Sequence, residues 1–121
     1  MAKTKEPALR KLGPEEAPEL HAAKERADRL SGSVRSAEKN IPYYKDFLDE
    51  AQAHIDSKPS EGVLKDWQSR LEHCRDFQIP EEERKLRVDR GLLEKATKAL
   101  DEERAKVKGL VERGGEFLVP A

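Results

Sequence analysis

Three histidines and a single cysteine are the residues of this 121-residue chain with the most chemistry to offer. His54 follows Glu50 by four positions, a spacing that puts both on one side of a helix and can supply two metal ligands. A carboxylate-bridged two-metal bundle site needs a second acid and histidine pair, and the sequence contains none, so half of the ligand set is missing. His73 directly precedes Cys74, and on a helix adjacent side chains point about 100° apart, which is poor geometry for chelation. His21 has no such neighbour. Cys74 falls on an apolar row and reads as a small hydrophobe rather than a nucleophile. The sequence has no zinc spacing, glycine-rich phosphate loop or Ser/His/Asp arrangement. We therefore expect no catalytic residue, no metal and no cofactor, and a chain that is not an enzyme.

The charges narrow the choice of partner. With 24 Lys plus Arg against 25 Asp plus Glu the net charge is −1, so no global field gathers nucleic acid or an anionic membrane. Basic residues along the third segment, from Arg84 to Lys108, alternate with acids and have few aromatics among them, so nucleic acid is not expected as a partner. No apolar run is long enough for a membrane span, nothing resembles a secretory leader, and one cysteine closes no internal disulfide. The expected compartment is the cytoplasm.

What positions these residues is a heptad seam. Leu20, Ala27, Val34, Ile41, Leu48 and Ile55 are seven apart, with Ala23, Leu30, Ala37, Tyr44 and Ala51 three positions after the first five. Every a and d slot over five heptads is apolar or aromatic, the signature of a helix that lays one seam against another. Disordered chains do not keep such a register, although the composition (40% charged, 36% hydrophobic, 5% aromatic) would suit one. Gly32 and Pro42 interrupt the helix, yet the seam keeps its phase through Pro42, which predicts a kink and not a reversal. Beyond Ile41 the stripe widens through Tyr43 and Phe47, so more than one helix is expected to pack there.

Residues Ser57 to Ser60 read as a turn, with Ser60 as a helix cap. The second helix carries Val63, Leu64, Trp67, Leu71, Cys74 and Phe77 as one stripe, with Trp67 as a core anchor. Pro80 opens a third segment holding Leu86, Leu93, Leu100 and Val107 at seven-residue spacing, with Ala96 and Leu110 in d slots. Asp89 and Glu103 occupy the other d slots, where a carboxylate either meets a cation across the interface or waits for a partner. Gly114-Gly115 reads as the helix stop.

The expected organisation is a flexible, mildly basic arm over residues 1–14 (Lys3, Lys5, Arg10, Lys11), one helical domain over 15–115, and a short tail over 116–121. The fold class is all-α, either an elongated antiparallel helical hairpin or a three-helix bundle, with coiled-coil-type packing. The hairpin sets Leu48 near Leu71 and Ile41 near Phe77 and Gln78, and a second copy in a four-helix homodimer would cover its wide face. The bundle requires a reversal at Gln78 to Pro80. Three helical segments with heptads and one tryptophan are similar in outline to a spectrin-type repeat. That family's tryptophan lies in the first helix and Trp67 lies in the second, so the resemblance implies architecture alone.

A seam without chemistry points to a non-enzymatic protein–protein interaction module, a scaffold or assembly subunit. The core seam comprises Leu20, Leu30, Val34, Ile41, Tyr44, Leu48, Ile55, Leu64, Trp67, Leu71, Leu93, Leu100, Val107 and Leu110. Phe117, Leu118 and Val119 form the expected partner-binding element, being three apolar residues beyond a glycine stop. The alternative is a small helical chaperone that shields a partner protein before assembly or secretion, with a free state that tightens when the client binds.

Overall fold

A computed structural model describes residues 8–121. These residues are mostly helical, at 74%, and carry a small three-stranded sheet as well. In order the elements are β1 (Leu9–Lys11), α1 (Pro18–Asp56), α2 (Glu61–His73), a π turn (Cys74–Gln78), α3 (Ile79–Ala105), β2 (Val111–Arg113) and β3 (Glu116–Pro120). By contact they divide into two compact units, one of Met1–Asp28 with Glu94–Ala121 and one of Arg29–Leu93.

The first unit is built from both ends of the sequence. Gly114 and Gly115 have φ of 59° and 78°, the left-handed pair that a two-residue hairpin loop demands because its twist matches that of the strands. They join β2 to β3 with Arg113 opposite Glu116 and Val111 opposite Leu118. On the other edge of β3 lies β1, also antiparallel, with Leu9 opposite Pro120 and Lys11 opposite Leu118. Hydrogen bonds from Ala121 N to Ala8 O (2.8 Å) and from Leu12 N to Phe117 O (2.9 Å) extend that ladder at both ends. Alternation along β3 sends Phe117 and Val119 inward, 3% and 7% exposed, in a unit whose other buried apolar side chains are Leu12, Leu20, Ala27, Ala96 and Leu100.

A hydrogen-bonded turn leads into helix α1. Gly13 N donates to Glu16 Oε2 at 2.9 Å while Glu16 N donates to Gly13 O at 3.1 Å, and Pro18 takes the first helical position. Helix α3 ends at Ala105, where Lys106 N and Val107 N turn back to carbonyls three residues earlier and tighten the exit. Gly109 (φ 75°) then swings the chain toward β2.

The structure corrects four expectations. The arm placed over 1–14 contains strand β1 from Leu9, and its residues 1–7, Lys3 and Lys5 among them, lie outside the described residues. The tail over 116–121 contains strand β3, Glu116–Pro120. Gly114-Gly115 closes a hairpin and not a helix, and Val107 and Leu110 lie beyond the end of α3, each half-buried. The all-α class gives way to a helical fold with a sheet, because alternating apolar residues in β3 find a partner strand on each side.

The second unit holds two helical arms that reverse once, at residues 57–60. Lys58 takes a left-handed conformation (φ 56°) just past the end of α1. Ser60 accepts from Leu64 N through its carbonyl, but its hydroxyl makes no cap, contrary to expectation. Helix α1 runs through Pro42 without reversing, and helical structure continues from α2 through the π turn into α3, so the reversal at Gln78 to Pro80 that the three-helix alternative requires does not occur. The arms are antiparallel: Cys74 Sγ donates to Tyr44 O at 3.4 Å, and nearer the far end Arg90 reaches Glu38 at 3.3 Å.

The π turn has a local cause. Pro80 has no N–H for the carbonyl of Asp76, and its ring would crowd that carbonyl in a regular helix. Widening the preceding turn, with Ile79 N bonded to Cys74 O, relieves the conflict. Inward positions follow: Leu64, Trp67, Leu71 and Cys74 step by three and four, whereas Cys74, Gln78 and Glu82 step by four and four. Phe77 lies on the outer flank, seven residues after Arg70, and is 67% exposed, which corrects its expected place on the inner stripe; Val63, at 46%, is likewise outside.

Candidate functional site

Exposed aromatic surface in the second unit gathers where the π turn meets α1. On α1, Tyr43 and Tyr44 are adjacent with ring centroids 5.8 Å apart, Tyr44 half-buried against Cys74 and Tyr43 68% exposed. On the other arm, His73 and Phe77 lie one turn apart with centroids at 5.6 Å. Between the arms is a groove of about 300 Å³ lined by Tyr43, Tyr44, Phe47, Arg70, His73 and Gln78. A second hollow of about 320 Å³ shares Tyr44 and Gln78 with it and is closed by Phe77, Glu81 and Glu82. Together the two hollows form one aromatic depression, basic at the Arg70 and His73 end and acidic at the Glu81 and Glu82 end.

Trp67 lies behind the groove and packs against two residues that line it, Phe47 and Arg70. His54 stacks on its ring at 4.1 Å and 6°, Phe47 lies at 6.2 Å, and the Arg70 guanidinium sits 5.4 Å from the ring centre. A cation over an indole face is attracted by the ring quadrupole, by about 0.5–1 kcal/mol at an exposed site. That contact and a 3.4 Å ion pair with Asp66 orient Arg70 toward the groove. At the opposite end Glu81 is paired with Arg84 at 2.7 Å, and the hydrogen bonds from that guanidinium hold the Glu81 carboxyl below its ordinary range. Cys74, fully buried beneath the groove, has its thiol pushed up by desolvation, so it stays protonated and packs as an apolar side chain.

The residues singled out in the sequence fall in several places. Phe117 and Val119 are buried in the first unit and Leu118 is half-buried, so the expected docking triplet is occupied in folding; burying each large side chain stabilises by about 1.5–3 kcal/mol. Of the seam residues, Leu20, Val34 and Leu100 are buried; Leu30, Ile41, Tyr44, Leu48, Ile55, Leu64, Trp67, Leu71, Leu93, Val107 and Leu110 are half-buried. Asp89 accepts a hydrogen bond from the Ser33 hydroxyl, and Glu103 pairs with Lys106 at 2.9 Å. His21 binds the Leu12 carbonyl at 2.8 Å and meets the Phe117 ring edge-on. Glu50 and His54 stand 3.9 Å apart, and among the described residues no group of three or more His, Cys, Asp or Glu converges as a metal site. No helix among them is long and apolar enough to cross a membrane.

Phe77 takes the face opposite to the one expected; its signal was the three-four alternation of Leu64, Trp67, Leu71 and Cys74, whose next step falls on Gln78. Tyr43 and Phe47 were visible as the widening of the α1 stripe. Compared with protein-family models, curated proteins and solved structures, the chain matches none.

Proposed function

We propose that this chain is a non-enzymatic helical interaction module, a scaffold or assembly subunit of the cytoplasm. In this reading its arms pack on each other in the manner of a coiled coil, and it docks a protein on the aromatic depression beside the π turn. One observation carries the reading: Tyr43 and Phe77 are about two-thirds exposed next to a groove deep enough to seat a side chain. Large aromatics left in water on a surface otherwise rich in charge mark a contact site, because burying them against a partner recovers the hydrophobic energy that folding left unused.

The test is a photo-crosslinking amino acid at Phe77, with the same residue at exposed Glu25 as control. Under native conditions position 77 should yield a discrete crosslinked protein and position 25 should not. Equal or absent crosslinking at the two positions would overturn the reading.

A further inference from the structure

The large apolar side chains left exposed among the described residues are Tyr43, Val63, Phe77 and Val88, every one in the Arg29–Leu93 unit. By helical phase Val63, Arg70, Phe77, Glu81 and Val88 succeed one another along a single flank of the second arm, at steps of seven, seven, four and seven across the wide π turn. This flank borders the groove through Arg70 and Phe77.

We propose that the occupant of this flank is a second copy of the same chain, paired antiparallel about a two-fold axis between Arg75 and Asp76. This rests on the reading of the aromatic depression as a docking face and names its partner. Charge complementarity along the stripe selects this register. With the axis at that point Val63 faces Val88 of the copy, Arg70 faces Glu81, and Asp66 faces Lys85; by two-fold symmetry each contact occurs twice. Phe77 sits within half a turn of the axis in both chains, so the two rings meet at the centre with His73 beside them. Opposite charges flank an apolar centre, as in specific interfaces.

Two alternative pairings lack this match. An axis on Phe77 sets Arg70 against Arg84, and a parallel pairing sets Arg70 on Arg70 and Glu81 on Glu81. Within one chain Arg70 is now bound to Asp66 and Glu81 to Arg84, but all four side chains are more than half exposed. Such solvated pairs exchange readily for partners across an interface.

The test is the mass of the full chain in solution by sedimentation equilibrium over a range of concentrations. The unaltered protein should approach twice its 13.7 kDa chain mass. Arg70→Glu alone and Glu81→Arg alone each place like charges together at two symmetry-related points, and each should weaken the dimer by roughly tenfold or more. Mixing the two single variants should restore a dimer, since both cross-pairs are then opposite in sign, and so should Arg70→Glu combined with Glu81→Arg in one chain. Circular dichroism of each variant confirms folding, which these exposed positions do not govern. A single-chain mass for the unaltered protein at every concentration overturns the proposal, as does dimerisation unaffected by the single changes or not restored by mixing. If the mass stays that of one chain while the crosslinker at position 77 traps a different protein, the self-association fails and the docking face stands. If the crosslinker traps nothing, the docking reading fails too.

Discussion

At residue scale the glycines separate into those that a turn requires and those it does not. Gly109 has φ 75°, and a methyl group there would lie 2.9 Å from the Pro120 ring. Gly109→Ala should therefore destabilise the protein by about 1–3 kcal/mol, through both strain and overlap. Gly91, exposed inside α3 with open space where a methyl group would stand, has neither reason to be glycine, and Gly91→Ala should add about 0.5–1 kcal/mol. Urea midpoints shifted in opposite directions at constant slope would verify the pair. Cys74 supplies a pH signature. Its folded thiol titrates above the ordinary 9.0, so on raising the pH the unfolded chain loses this proton first. The contribution is thus whole below 9.0 and declines as the pH climbs from there toward the folded value. Cys74→Ala should lack that part of the alkaline decline, and in the native protein the thiol should react with iodoacetamide far more slowly than in denaturant.

At the scale of elements, the β2–β3 hairpin depends on two successive left-handed residues. Replacing Gly114-Gly115 by Asn-Gly should keep the hairpin, while Ala-Ala should cost about 1–2 kcal/mol per residue and raise amide exchange across Phe117 to Val119. This element also shows where the sequence was ambiguous. Gly-Gly ends a helix as readily as it closes a hairpin, and only the alternation of Phe117 and Val119 with Leu118 and Pro120 marks the second use. Strand β1 was not legible: Leu9-Arg10-Lys11 has no pattern of its own and acquires a strand's geometry from a partner at the other end of the sequence. By contrast the α1 seam was fully legible, since each a and d position from Leu20 to Ile55 is buried or half-buried. The reversal at residues 57–60 was equally plain. The candidate site was half-readable: Tyr43 and Phe47 widened a visible stripe, whereas Phe77, three residues after Cys74, passes for an inner residue although the three-four alternation of Leu64, Trp67, Leu71 and Cys74 leads to Gln78.

For the whole molecule the two units differ in how much chain each must bring together. The Arg29–Leu93 unit closes around one turn, so its contacts form between neighbours in an antiparallel pair of arms. The other unit must join Ala8 to Ala121 and Leu12 to Phe117, at a larger loop-closure entropy that precedes any reward in hydrogen bonds or burial. Refolding with pulsed hydrogen exchange should protect amides of α2 before those of Leu12 and Ala121; simultaneous protection would show that the units fold as one. The pairing of the first strand with the last has a practical corollary. Because the two ends of the described chain leave the fold side by side, a short linker from residue 121 to residue 8 would make the backbone circular, and new termini opened within Ser57–Ser60 should give a permuted protein with the same strands and helices.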